Sequence, residues 1–161
     1  MPAVCQITIT RAIELLSAEN TPYQLLIWNN CYGGGPELSE EANKAYTEYL
    51  TRQGVDHDRT EHHKEDLQNV HFLRFIKHFR SENPKRRFAG EYSSFGFALI
   101  RKEQAPFYKL SEYDGLESPY LDRKGYILNK IDVHFEQKDT MSQEEYAEYS
   151  RVEHEFIGME C

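Results

Sequence analysis

The stretch from Tyr23 to Leu50 constrains this chain more than any other: a short apolar run, then Gly33, Gly34 and Gly35, then a helical repeat. Leu25, Leu26, Ile27 and Trp28 are continuous rather than alternating, and are bounded by Thr21-Pro22 and Asn29-Asn30. Such a run reads as a strand buried on both faces. Ala42, Ala45, Tyr46, Tyr49 and Leu50 recur at steps of three and four, which places them on one face of a helix near 40–53. Ser39 supplies an N-cap hydroxyl, Glu40 and Glu41 suit the positive end of the helix dipole, and Gly54 marks a stop. The glycines between strand and helix permit close approach of backbone to a ligand or to another segment.

The remaining elements follow from the same periodicities. Residues 10–19 read as a helix capped by Thr10 with Ile9, Ile13 and Leu16 inward, although Val4–Thr10 also alternates as a strand. Residues 53–66 are polar and read as an exposed loop. Residues 67–81 carry Leu67, Val70, Phe72, Leu73, Phe75, Ile76 and Phe79, a wide apolar face that predicts a buried helix ending at Asn83-Pro84. Phe95–Arg101 predicts a core strand, Ala105-Pro106 a break, and Phe107–Leu110 a second strand. Tyr113-Asp114-Gly115 is a turn signal, and Gly125–Phe135 predicts one or two more strands. Ser142-Gln143-Glu144-Glu145 matches a capping box that opens a helix with Tyr146, Tyr149, Val152 and Phe156 along one stripe. The expected architecture is α/β or α+β: one compact domain over 1–138, with a mixed sheet and two to three packed helices. Residues 1–22 form its peripheral helix or strand, and residues 139–161 an acidic helical appendage.

Charge narrows the function classes. A net charge of −8 disfavours the whole molecule as a nucleic-acid binder. The charge is uneven, however. Residues 139–161 hold seven acidic residues against Arg151, whereas Arg74, Lys77, Arg80, Lys85, Arg86 and Arg87 stand against Glu82. Nucleic acid therefore enters only through the basic block 74–87, which equally suits an acidic protein surface or the chain's own tail. No apolar run reaches the length of a membrane span, and the first residues carry no secretory pattern. Cys5, Cys31 and Cys161 are scattered and odd in number, which points to a reducing compartment, cytoplasm or virion.

Several groups have the composition of a site. The N–H groups around Asn30, Cys31, Tyr32, Gly33, Gly34 and Gly35 could cradle a small nucleotide-like anion. No Lys-Ser/Thr follows these glycines, and Glu37, Glu40 and Glu41 oppose an anion there. A structural turn is the stronger reading. Cys31 precedes the helix cap by eight residues, too far for activation by the helix, and a buried small hydrophobe is its default role. Glu112, Tyr113, Asp114 and Glu117 offer carboxylates for acid–base work, or an ordinary turn. His57, His62 and His63, with Asp56 and Asp58, lack the spacing of a metal site and read as a solvated loop. No cofactor or metal is implied.

Two stretches together resemble a family of small proteins of phages and large DNA viruses. Asn29-Asn30-Cys31-Tyr32-Gly33-Gly34, followed by Leu38-Ser39 and Ala42, is similar to its Asn-x-Cys-Tyr-Gly-Gly…Leu-Ser…Ala pattern. Glu112-Tyr113-Asp114-Gly115-Leu116-Glu117 is similar to its later Glu-Tyr-Asp-Gly-x-Glu. Gly35-Pro36-Glu37 departs from the family's Phe-Gly. The resemblance spans Tyr23 to about Ser118 and implies a shared structural or binding feature, with no activity attached. The expectation is a non-enzymatic binding or assembly protein that contacts other protein chains through the basic block and the tail stripe. The alternatives are an anion-binding module on the glycine turn and, least favoured, a Cys- or carboxylate-dependent hydrolase.

Overall fold

The structure is a computed structural model that describes residues 7–31, 36–57, 62–130 and 156–159, with side chains through residue 126 and again over 156–159. The elements are α1 (Ile9–Ser17), β1 (Tyr23–Asn29), α2 (Glu40–Arg52), α3 (Lys64–Leu67), α4 (Val70–Glu82), β2 (Phe95–Arg101), β3 (Tyr108–Tyr113), β4 (Leu116–Leu121), α5 (Arg123–Lys130) and β5 (Phe156–Gly158). A single turn of 3₁₀ helix, Ala105–Phe107, precedes β3. Helices and antiparallel sheets together make an α+β fold.

Local chemistry explains most of these boundaries. The Thr8 hydroxyl, not Thr10, accepts the Arg11 N–H and starts α1. The Ser39 hydroxyl accepts the Ala42 N–H at the start of α2 as expected, with Ala42, Tyr46 and Leu50 buried. That helix closes in a Schellman arrangement: the Val55 N–H reaches the Leu50 carbonyl and the Gly54 N–H the Thr51 carbonyl. The expected helix over 67–81 is two helices. Asn69 accepts the Phe72 N–H with its side chain and so opens a new helix, α4, one turn after α3 ends. Residues 123–130 are helical rather than a strand. Asp122 caps α5 by accepting the Gly125 N–H at 3.1 Å, and Tyr126 turns inward onto Phe107. The part of the Gly125–Phe135 strand expectation beyond residue 130 lies outside the described residues.

Strands β1, β2 and β5 form one sheet in that order, with Tyr23 opposite Arg101, Asn29 opposite Phe95, and Phe156 opposite Ile100. The expected mixed sheet is antiparallel in all its named strands; among the described residues the parallel contact is the isolated Ile7–Met159 bridge. The pleat sorts side chains by parity. Leu25, Ile27, Phe97 and Leu99 face the helices and join Phe72, Phe75, Leu73 and Ile76 of α4 in the main core. Leu26, Trp28, Ala98, Ile100 and Phe156 share the opposite face, where Tyr108 of β3 stacks toward Phe156 at 6.4 Å. Both faces are covered, which is why β1 and β2 read as continuous apolar runs. Gly96 sits opposite Trp28, and a Cβ there would overlap the indole ring, so the glycine lets that ring lie across β2.

Phe72 is the hub of the main core. Its ring lies within 5.5–6.4 Å of the rings of Tyr46, Phe75, Phe88, Phe95 and Phe97. Burying one such side chain stabilises by about 1.5–3 kcal/mol, and each favourable ring pair adds about 0.5–1.5 kcal/mol.

Candidate functional site

Strand β1 is an outer strand, so the N–H groups on its free side need partners from elsewhere. Two side chains supply them. Gln68, between α3 and α4, accepts the Ile27 N–H at 2.9 Å. Glu117 of β4 accepts the Asn29 N–H at 2.7 Å, and Lys64 of α3 donates to both Glu117 oxygens at 3.1 and 3.3 Å. One carboxylate thus joins β1, α3 and the β3–β4 hairpin.

Asn29 completes the junction. It is 2% exposed, and its Nδ2 donates to the Gly115 carbonyl at 2.5 Å and to the Cys31 carbonyl at 3.1 Å. Its Oδ1 accepts the Cys31 N–H. The Cys31 thiol has two acceptors, Asn29 Oδ1 at 3.2 Å and the Tyr92 carbonyl at 3.1 Å. On the hairpin side, Asp114 and Gly115 have φ of 49° and 86°, and Tyr113 pairs with Leu116. This two-residue turn with both φ positive matches the twist of the strands, and Asp-Gly tolerates it. Glu112 accepts the Gly115 N–H at 3.3 Å and steadies the turn.

The two motif stretches therefore meet, at residues 29–31 and 115–117. Cys31 and Glu117 belong to the junction, whereas Asp114 is exposed in the turn and Glu112 bonds the Gly115 N–H within the hairpin. Asn30 also lies outside the junction: it is exposed, and its N–H bonds the Ser94 carbonyl. Tyr32, Gly33, Gly34 and Gly35 lie outside the described residues. Asn29 and Lys64 are the members that the sequence reading left out of its candidates. Parity with the buried Leu25 and Ile27 was the available signal for Asn29. For Lys64 there was none, because its partner is 53 residues away.

The basic block is largely engaged within the molecule. Arg74 donates to Ser17 at 2.8 Å, Arg80 lies over the Phe88 ring, Arg86 pairs with Glu41, and Arg87 donates to the Ser93 carbonyl. Lys77 and Lys85 are exposed. Of the expected tail stripe, Tyr146, Tyr149 and Val152 lie outside the described residues. Phe156 is not on a helix. It lies in β5, its ring centroid 5.8 Å from that of Trp28, so the described end of the tail is part of the sheet.

A second polar cluster lies where the sequence suggested a solvated loop. A cavity of about 320 Å³ is walled by Tyr46 and Leu50 of α2, Val55, His57, His62 and Asp66, among others. His62 is buried, edge-on to Tyr46 at 4.7 Å, and burial holds its pKa below the ordinary value. Burial likewise pushes the Tyr46 hydroxyl up to about 12. Among the described residues no group of three His, Cys, Asp or Glu side chains is placed to hold a metal ion.

The surface carries a third feature. The outer face of the hairpin presents Lys109, Ser111 and Tyr113 from β3 beside Ser118 and Tyr120 from β4, as strand parity requires. Tyr113 is 76% and Tyr120 48% exposed, and Tyr92, whose carbonyl faces Cys31, is 77% exposed. Among the described residues no helix is long and apolar enough to cross a membrane. No family model matches the chain, and no curated protein or solved structure matches it either.

Proposed function

We propose that this chain is a non-enzymatic binding protein that presents the outer face of the β3–β4 hairpin to another protein chain. The observation that carries this is the pairing of a fixed base with an open face. Glu117 and Lys64 lock the hairpin to β1 and α3 through charge-assisted bonds, and Asn29 adds an amide bond to the Gly115 carbonyl. In front of that lock stand Tyr113 and Tyr120 with Ser111, Ser118 and Lys109. Tyrosine supplies large amphipathic contact area at low entropic cost, and serine adds adaptable hydrogen bonds. The contact surface proposed is thus the hairpin, with the basic block reduced to Lys77 and Lys85 as steering charges. The phage and large-virus family that the chain resembles extends the proposal to an assembly role in a virus-encoded protein, with Asn29 and Glu117 the matched residues that shape the junction.

A photo-crosslinking residue at position 113, in the cell that naturally makes the chain, tests this. The expected result is a discrete protein adduct that Tyr120→Ala abolishes while the fold is retained. No adduct from 113, or one that survives Tyr120→Ala unchanged, would count against the hairpin as the contact face.

A further inference from the structure

We infer that the hairpin turn modifies its own backbone: Asp114 cyclises onto the Gly115 nitrogen and reopens as a β-aspartyl link, with Glu112 as the base. The residues of the turn converge on this step. Gly115 has no Cβ, so its amide nitrogen is open to the carboxyl carbon of the residue before it. Asp114 is exposed, so water reaches its carboxyl, and its φ of 49° lies in the left-handed region that a residue with a Cβ disfavours. Glu112 Oε1 accepts the Gly115 N–H at 3.3 Å, so the proton that must leave this nitrogen already faces a carboxylate. The hairpin register, with Tyr113 opposite Leu116 and Glu112 opposite Glu117, holds base and nitrogen in that relation.

The atoms balance with water as the only co-reactant. Glu112 takes the amide proton as the Gly115 nitrogen bonds to Asp114 Cγ. The C–OH bond of the Asp114 acid breaks, and the hydroxyl leaves as water with the proton that Glu112 took. The product is a five-membered succinimide, and nothing is oxidised or reduced. Water then opens the ring. Cleavage of the new Cγ–N bond restores Asp114. Cleavage of the bond from nitrogen to the original main-chain carbonyl routes the chain through Cβ and Cγ instead. The rerouted turn has one more backbone atom, and φ at position 114 is no longer held left-handed. A two-residue turn fixes the hairpin's geometry through the φ of both its residues, so the extra atom moves Gly115. The Gly115 carbonyl is the group that accepts Asn29 Nδ2 at 2.5 Å, and this bond to the junction is lost with the turn. The step is thus a slow release of the hairpin tip from β1, timed by the turn's own chemistry.

The test uses the full chain, held folded at neutral pH and physiological temperature for several weeks in heavy-oxygen water. Peptides are then mapped by mass spectrometry with electron-transfer fragmentation, which separates aspartyl from β-aspartyl links. A free peptide of residues 110–117 is the reference, since it has the same residues without the fixed turn. The expected result is a β-aspartyl link at position 114 that carries one heavy oxygen and forms at least about threefold faster in the folded chain than in the peptide. Glu112→Gln keeps an acceptor for the Gly115 N–H but removes the base, and it lowers the folded rate to that of the peptide or below. In the isomerised fraction the NMR signal of the Asn29 side-chain amide moves. A folded chain that isomerises no faster than the peptide, a rate unchanged by Glu112→Gln, or an Asn29 signal that stays in place would each overturn the inference. The comparison of folded chain with peptide needs no variant, so it decides the matter even where Glu112→Gln fails to fold.

Discussion

At the scale of single residues, Glu117 is the side chain on which the junction turns. Its carboxylate holds one backbone N–H of β1 and the Lys64 ammonium, and both ionic side chains are less than a quarter exposed (19% and 23%). Solvent screens this pair less than the surface pairs Arg11–Glu14 and Arg86–Glu41, whose groups are half exposed or more. Glu117→Ala is expected to destabilise the fold by about 2 kcal/mol, since it orphans the Asn29 N–H as well as the ammonium. Lys64→Ala should do less, and a double-mutant cycle in urea should give a coupling above about 0.5 kcal/mol. Coupling indistinguishable from zero would remove the ion pair from the account. His62 sets a pH dependence of definite sign. Burial lowers its pKa in the folded chain from 6.5, while Asp66 opposes that shift and His57 and His63 reinforce it. The unfolded chain therefore takes up the proton first as pH falls. The contribution of the neutral ring is intact above about pH 6.5 and is lost as pH drops below that toward the lower folded value. His62→Gln keeps a donor toward Thr47 without a titration, so its melting temperature should fall less between about pH 7.5 and about pH 5 than that of the parent. Parallel profiles for the two chains would rule His62 out as the source.

At the scale of elements, most of the chain behaves as its local pattern dictates. Strand β1, helix α2 and strand β2 have the bounds that their apolar spacing and caps impose. Besides the break between α3 and α4, two elements departed from that pattern. Residues 123–130 hold Tyr126, Ile127 and Leu128 in a row, which reads as a strand, yet an Asp122 cap turns them into α5. The Asp122 carboxylate is held below its usual pKa, first by the Gly125 N–H and then by Lys109, which keeps the cap charged. The other departure is the chain's end. Phe156 continued a helical stripe in the sequence, but it pairs with Ile100 as part of β5. Ile157 packs on the main core and Met159 is buried in it. Removing residues 156–161 is therefore expected to destabilise the molecule by roughly 3 kcal/mol or more, read by urea unfolding. A truncated chain as stable as the parent would show that β5 contributes nothing to the sheet.

At the scale of the whole molecule, charge and covering decide what is left for function. The basic block of 74–87 looked like an unopposed patch in the sequence. In the fold it faces Ser17, Phe88, Glu41 and the Ser93 carbonyl, so most of its donors are already engaged. The sheet is covered on both faces, and among the described residues its outer strand β1 is closed by Gln68 and Glu117 rather than by another strand. Among the described residues, the hairpin's tyrosine face and the cavity beside α2 are two features that these contacts leave uncovered. The class of fold, strand β1 and helix α2, the Ser39 cap and the Asp-Gly turn could be read from the residues, because each depends on interactions within a few positions of chain. The Asn29–Glu117–Lys64 lock, the burial of His62 against Tyr46, and the place of Phe156 in the sheet belong to the tertiary structure alone. They join residues as far as 88 positions apart, or depend on which neighbours exclude water, and no periodicity along the chain records either.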